Sequence, residues 1–401
     1  MASPGGGICW RKAAILAGAI IALVIGSGFA TGQELFQYFT AYGLQCVFAI
    51  AVFAILFIYY NFNFAKVGTE QRYEVGNDVF KYFCGKTIGT AFDYYSTLFC
   101  YMSFFVMVGG AASTLHQGFG IPEWVGGVLL AGLVILVVAA GLNKLVNIIG
   151  VIGPIKIGFF VVVGIAVLIV GWPHISEGLE TIASGTYQGA EAGQTVTKAG
   201  GNWLMSGLSY AGFVLLWFSS FTTLLGAKNE LKNLKAGIII ATVTICAAIL
   251  IIVLAQIANI NTTDGTNYVW NAAIPNLILA ESLNPALSVV YAVVVFVGIC
   301  ATAVPLLYNP VARFAKEGTR KFRILAVVLG VSGLVIGLFV PYRMLVNVVY
   351  VLNGYVGAVL LIFMVRKNIM DRRTVSSPRP NYGVWYLMKN GTPLPAEEVP
   401  R

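Results

Sequence analysis

The residues with the greatest chemical potential in this chain sit in one short string, Gly26-Ser27-Gly28-Phe29-Ala30-Thr31-Gly32-Gln33-Glu34. Glycines at 26, 28 and 32 weaken a helix, since each costs about 1 kcal/mol relative to alanine, and a helix that stops leaves N–H and C=O groups without partners. The N–H end of an outer half-helix attracts an anion; the carbonyl end of an inner half attracts a cation or an ammonium. A carboxylate and an amine held a few ångströms apart match that pair of poles. The plainer alternative is close helix packing through small residues. Glu34 adds a carboxylate that can face an outer vestibule, pair with a cationic substrate or carry a proton; otherwise it is a solvated residue where the helix emerges. Lys156, in Ile152-Gly153-Pro154-Ile155-Lys156-Ile157, is a second ionisable group within an apolar run. Burying an unpaired charge is expensive, so Lys156 either cycles a proton, as a tethered substitute for a coupling sodium ion, or snorkels to the interface from a shorter helix. His116, His174 and six scattered cysteines without a Cys-x-x-Cys pair offer no zinc, haem or iron–sulfur spacing, so no metal and no cofactor is expected.

These groups lie in an unusually apolar chain. With 58% hydrophobic and only 10% charged residues, its 401 residues carry more apolar surface than one water-soluble core can hide. Lys and Arg number 25 against 16 Asp and Glu. In a soluble protein that excess suggests nucleic acid, but here the charges are confined to short segments between long apolar runs, so the partner is a lipid bilayer and not nucleic acid. A bilayer core about 30 Å thick takes about 20 apolar residues of helix. Ten such spans are predicted, at 13–39, 44–64, 91–115, 124–141, 147–171, 203–226, 235–258, 284–308, 324–340 and 344–365. The leader is too short, and the first run too long, for a cleaved signal peptide. With the N-terminus inside, 23 of the 25 Lys and Arg fall in inner segments and only Lys198 and Arg343 outside, the asymmetry of a multi-pass plasma-membrane protein with both termini cytoplasmic.

Long gaps at 65–90 and 259–283 occupy matching places in two sets of five spans. Five being odd, the second set enters the membrane upside down, the pattern of an inverted repeat with substrate at the midplane between the halves; two loops can also match by chance. The expected organisation is a leader (1–11), a first five-helix repeat (12–171), an outer loop (172–202), a second five-helix repeat (203–365) and a cytosolic tail (366–401). The repeat implies that the sixth span breaks as well. There Ser219, Ser220, Thr222 and Thr223 can satisfy freed backbone or bind ligand, with Trp217 and Phe221 as walls, unless the hydroxyls simply bond back to their own helix. Asp93, near the inner mouth of the third span, reads as an interfacial helix-start residue. The amphipathic stretch 270–278 reads as a short helix that caps the vestibule or shields an interface.

The string from Gly26 to Glu34 resembles the Gly-x-Gly-Phe-Ala-Thr-Gly-x-Glu of the YkvI type of bacterial membrane protein. That group lies within the amino acid, polyamine and organocation superfamily, whose members share the leucine-transporter fold. The resemblance covers about residues 10–370 and is weaker outside the motif. It implies an all-α integral membrane protein, ten helices as a five-plus-five inverted repeat with helices 1 and 6 broken, and substrate between helices 1, 3, 6 and 8. Carried over, Gly26, Ser27, Gly28, Phe29 and Thr31 become the first unwound segment, followed by Glu34, and Trp217, Ser219, Ser220 and Phe221 the second. Relatives read Tyr-x-Ser-Tyr-Asn there; Ser219 keeps the serine, while Ser220 and Phe221 depart from the pattern and leave the substrate open. Tyr101 and Ser103 on helix 3 are pocket candidates by depth, and Asn353 and Tyr355 on helix 10 are gate candidates. Helix 8 carries one hydroxyl, Thr302, where sodium-using relatives have two, and Lys156 falls where proton-coupled members place a lysine on helix 5.

The function expected from all this is secondary active transport of amino acids or related small amines by alternating access, coupled to protons ahead of sodium. A sodium-coupled transporter of the same fold and a membrane receptor that binds without flux are the alternatives. An enzyme is not expected, because no nucleophile–base pair is apparent and both histidines fall in outer loops.

Overall fold

The computed structural model describes residues 7–24, 26–140, 146–191, 194–376, 388–389 and 392–393; the side chains of Ser27, of 146–156 and of 372 onward lie outside the described set. Among these residues nine helices are long and apolar enough to cross a membrane. The first span is built differently. It consists of α1 (Trp10–Val24), a single turn α2 (Ser27–Thr31) and α3 (Gln33–Tyr38). Gly26 is extended (φ −94°, ψ −154°) and Gly32 left-handed (φ 80°), a conformation that glycine alone adopts freely. A side chain at Gly32 would also collide with Asn276 and Gln256.

The other helices are α4 (Cys46–Gln71), α5 (Asp78–Phe119), α6 (Glu123–Ala140), α7 (Val146–Gly171), α8 (Ile175–Ser184), α9 (Trp203–Lys228), α10 (Leu231–Ala258), α11 (Pro275–Leu283), α12 (Pro285–Phe314), α13 (Arg320–Phe339), α14 (Tyr342–Leu345) and α15 (Val351–Ser376), with a π-turn at Val346–Tyr350 joining the last two. Polar side chains start several of them. Asn202 accepts from the Met205 amide, Asn284 from Ala286, and Thr319 from Phe322, each satisfying an amide that the first turn leaves free.

Two helix groups emerge from the packing. In one, α1 lies on α10, α4 on α9, and α10 on α4; in the other, α5 packs on α12, α6 and α13, and α6 on α13 and α12. Each group thus takes elements from both halves of the chain, while α15 leans on α9 and α7 on α10. Small residues set the closest approaches, as lipid-embedded helices require. Gly207 and Gly226 of α9 press on the backbone of Ala49 and Ala65 of α4, and Gly212 meets Gly354 and Gly357 of α15. Aromatic rings fill the space beside them: Tyr210 is edge-on to Tyr38, Phe39, Phe53 and Phe213 at centroid distances of 4.9–5.2 Å.

Four expectations need correction. The sixth span does not break: α9 runs unbroken from Trp203 to Lys228. Its hydroxyls stitch the helix, Ser219 Oγ donating to Leu216 O (3.0 Å) and Thr223 Oγ1 to Ser219 O (2.6 Å), while Thr222 Oγ1 donates to Asn61 Oδ1 of α4 (2.6 Å). Second, the segment from Ser27 to Thr31 is a helical turn between two interruptions, not an unwound stretch. Third, the gap at 65–90 is mostly helix. The helices α4 and α5 extend through it and leave only 72–77 as loop, with α5 bent at Gly85 (φ 75°). Fourth, the cap foreseen at 270–278 starts later, at Pro275, where proline fits a first helical turn.

The α9–α15 crossing gives a direct test. Overpacking costs typically about 1–3 kcal/mol where side chains can adjust, and more where the obstacle is backbone. Gly212→Leu should abolish the monodisperse size-exclusion peak of detergent-solubilised protein. Gly132→Leu, at a glycine with nothing within 4 Å of an added Cβ, should leave the peak unchanged.

Candidate functional site

Where the two groups face each other, a cavity of about 530 Å3 begins at the first-span interruption and runs to the loop 72–77. Its deep end is made by Gly26, Gly28, Glu34, Trp217, Thr302 and Tyr350; Ser96, Thr97 and Cys100 of α5 line one wall, Leu216 and Ser220 of α9 another, and Arg313 stands at the mouth. The mouth is on the face where basic residues concentrate.

Glu34 is placed by the break itself. Because α3 starts straight after the left-handed Gly32, the carboxylate falls in its first turn, 4% exposed. Tyr210 Oη donates to Glu34 Oε1 at 2.7 Å, and the missing side chain of Gly28 makes room for the other oxygen, which a Cβ there would strike. Trp217 stacks on Phe99 (5.5 Å, 12°) and meets Tyr350 edge-on (5.7 Å, 84°). The Trp217 Nε1 and Tyr350 Oη atoms are buried without a hydrogen-bond partner, which is costly unless a ligand or water supplies one.

At the opposite end the site is sealed by the groups that receive the freed carbonyls. Asn276 Nδ2 of α11 donates to Phe29 O and Ala30 O (3.2 and 3.3 Å), Tyr291 Oη of α12 to Ala30 O (2.9 Å), and Gln256 Nε2 of α10 to Gly32 O (3.0 Å). Thr31 Oγ1 pairs with Tyr342 Oη at 2.9 Å. Beyond that layer Gln37 Nε2 donates to Arg343 O and Arg343 Nη1 to Asn271 O (2.9 and 2.8 Å). At the mouth, Arg313 Nη2 and Asn77 Nδ2 both donate to the Asp93 carboxylate, at 2.6 and 2.7 Å, and the guanidinium lies 4.7 Å over the Tyr94 ring. Asp93 is therefore a buried mid-helix ion-pair partner tying α5, α12 and the loop together, and not an interfacial helix start.

Of the residues singled out from the sequence, Gly26, Gly28, Glu34, Trp217, Ser220 and Thr302 line the cavity. The side chains of Ser27 and Lys156 lie outside the described residues. Others are placed elsewhere. Phe29 is core, Thr31 belongs to the sealed end, and Ser219 bonds within its own helix. Phe221 packs on Phe218, and Tyr101 bonds Ser332 Oγ (2.6 Å) on α13. Ser103 and Asn353 are fully buried away from the cavity, and Tyr355 is 41% exposed. Sequence reasoning missed Ser96, Thr97, Cys100 and Tyr350, each about one helical turn from a residue it chose, as well as Asn276 and Gln256, which stand on separate elements with no local signal.

No family model matches the chain. A stretch of 107 residues is 28% identical to the uncharacterized protein YyaD of Bacillus subtilis (strain 168), spanning 27% of this chain and 30% of that protein. Among solved structures, MhsT in complex with L-phenylalanine aligns over 88% of this chain and 89% of its own, with a TM-score of 0.58 at 15% identity. A histidine-to-alanine mutant of the Eremococcus coleocola manganese transporter aligns over 91% and 80%, with a TM-score of 0.56 at 15% identity. The same transporter in complex with an aromatic bis-isothiourea substituted compound gives 0.55 at 17% identity over the same shares. The chain has the leucine-transporter fold.

A cavity open at one end only makes a labelling prediction. In a cysteine-free background, Thr97→Cys and Thr302→Cys should react with a membrane-impermeant thiol reagent applied to the basic face and not to the other. Equal reaction from both faces would indicate a pore.

Proposed function

We propose that this protein is a secondary active transporter that moves amino acids or related small amines across the plasma membrane by alternating access, coupled to protons, with both termini in the cytoplasm. The observation that carries this reading is the asymmetric cavity: it reaches the interrupted first span from one face and is closed from the other by side-chain hydrogen bonds that a rearrangement can break. Five helices from each half, inserted in opposite senses, would supply the two access states. The cavity volume falls within the range of small-molecule sites, and the structural neighbours include proteins described as a manganese transporter and as bound to L-phenylalanine. Lys156 and Thr302 are the proposed coupling residues; Thr302 Oγ1 donates back to Gly298 O at 3.0 Å while facing the cavity.

Purified protein in liposomes should accumulate amino acids or amines under an imposed pH gradient, at least about tenfold above protein-free vesicles. A protonophore should collapse the uptake, and Lys156→Ala should uncouple it from the gradient. Full gradient-driven uptake by Lys156→Ala would contradict the role given to Lys156. Binding without any flux would turn the reading toward a receptor.

A further inference from the structure

The cavity's charge inventory says more about its ligand than its shape does. Glu34 is the one carboxylate at the deep end, and among the described residues it has no ion-pair partner. The groups within electrostatic reach are phenols: Tyr38 on α3, Tyr210 on α9, Tyr342 on α14 and Tyr350 in the π-turn. Cys246 of α10 lies near Tyr210, α12 contributes the hydroxyl of Thr302, and the side chain of Lys156 on α7 is outside the described set. A single hydrogen bond from Tyr210 leaves most acceptor positions of an ionised carboxylate empty. In so apolar a setting a bare carboxylate is not sustained: it holds either a proton or a cation.

Among the described residues the cavity offers a substrate carboxylate no free charged partner, only the neutral donors Trp217 Nε1 and Tyr350 Oη. Arg313, at the mouth, is committed to Asp93 at 2.6 Å. The second helix break, which would present another set of free amides, is missing in α9, and α2 is a single turn of 5 residues. Cationic heads, in contrast, find the Glu34 carboxylate in a cavity also lined by Trp217 and Tyr350, rings whose faces, and not their edges, attract organic cations.

We propose that Glu34 is the shared seat of a proton and of the cationic head of a carboxylate-free organic amine, each excluding the other, so that the protein exchanges the two. Arrival of the amine breaks the Glu34 O–H bond, the proton leaves to vestibule water, and the carboxylate pairs with the amine. Return of a proton from the other side releases it. For a monovalent cation one charge crosses each way, so exchange is electroneutral and insensitive to membrane potential. This rests on the transporter reading, narrows its ligands to amines without a carboxylate, and places the exchanged proton on Glu34 in place of Lys156.

The test uses probes that cannot cross a bilayer as neutral species: choline against glycine betaine, and agmatine against arginine, each pair differing by a carboxylate. They are added outside proteoliposomes of the full chain loaded with a fluorescent pH indicator. Choline or agmatine should alkalinise the lumen at least tenfold faster than its carboxylate-bearing counterpart. Glu34→Gln, which keeps an acceptor for Tyr210, should lose that rate tenfold or more; Glu34→Asp should retain exchange in the same sense and show that the site still folds. Lumen acidification, wild-type rates in Glu34→Gln, or preferred movement of glycine betaine or arginine would overturn the exchange proposal while leaving transport standing. Movement of none of the four, with all variants folded, would count against transport itself and this proposal with it.

Discussion

Backbone polar groups have nowhere to go inside a bilayer, and that constraint organises this molecule. Among the described residues, nine spans meet it mainly with their own helical ladders, bent at Gly85 in α5 and wound into a π-turn before α15. The first meets it with borrowed partners: Asn276, Gln256 and Tyr291, from three different helices, take up the carbonyls that Gly26 and Gly32 set free. Because those partners lie on one side of the break, the other side is left to a cavity. The interruption thus does three things at once. It locks one end of the site, opens the other to water, and swings Glu34 inward at the start of α3.

The sidedness of the cavity follows from how the groups meet. On the sealed end, hydrogen bonds join α2 and α3 to α10, α11, α12 and α14. At the mouth, the Asp93–Arg313 pair joins α5 to α12, two members of the same group, and does not bridge to α1 or α9. One end is therefore held across the groups and the other within a group. A rocking movement of one group against the other would need these sealed-end bonds to be exchanged, most of which run from neutral side chains to backbone carbonyls and are worth about 1 kcal/mol each. Neutral latches of that size suit a protein that must open and reclose.

Much of this was legible in the sequence, for physical reasons. Apolar runs of helical length and the lopsided distribution of Lys and Arg specify spans, and the glycine cluster marks an interruption near Gly26, but not that Ser27–Thr31 is a helical turn closed by a second break at Gly32. What failed was symmetry used as a substitute for local chemistry. The hydroxyls at 219, 222 and 223 can end a helix or bond elsewhere, and without a glycine among them Ser219 and Thr223 bond back into the helix while Thr222 bonds Asn61 of α4. Depth estimates slipped by about one turn on α5, where Tyr101 and Ser103 were expected and Ser96, Thr97 and Cys100 line the cavity, because the helix starts at Asp78, well before its apolar core, and bends at Gly85. The Tyr210 partner of Glu34 and the amides of Asn276 and Gln256 are joined to the motif only through the folded chain, across 176 to 247 residues.

The claim on which all of this depends is that the first span is interrupted at a place reached by water while its neighbour α9, at the same depth and on the same cavity, is not. Hydrogen–deuterium exchange by mass spectrometry on reconstituted protein measures that difference directly. Amides around 24–29, where a new helical turn begins without intrahelical acceptors, should exchange much faster than those of 212–222 in α9. Equal, strong protection of both segments would mean an unbroken first helix, and would contradict the account at its base.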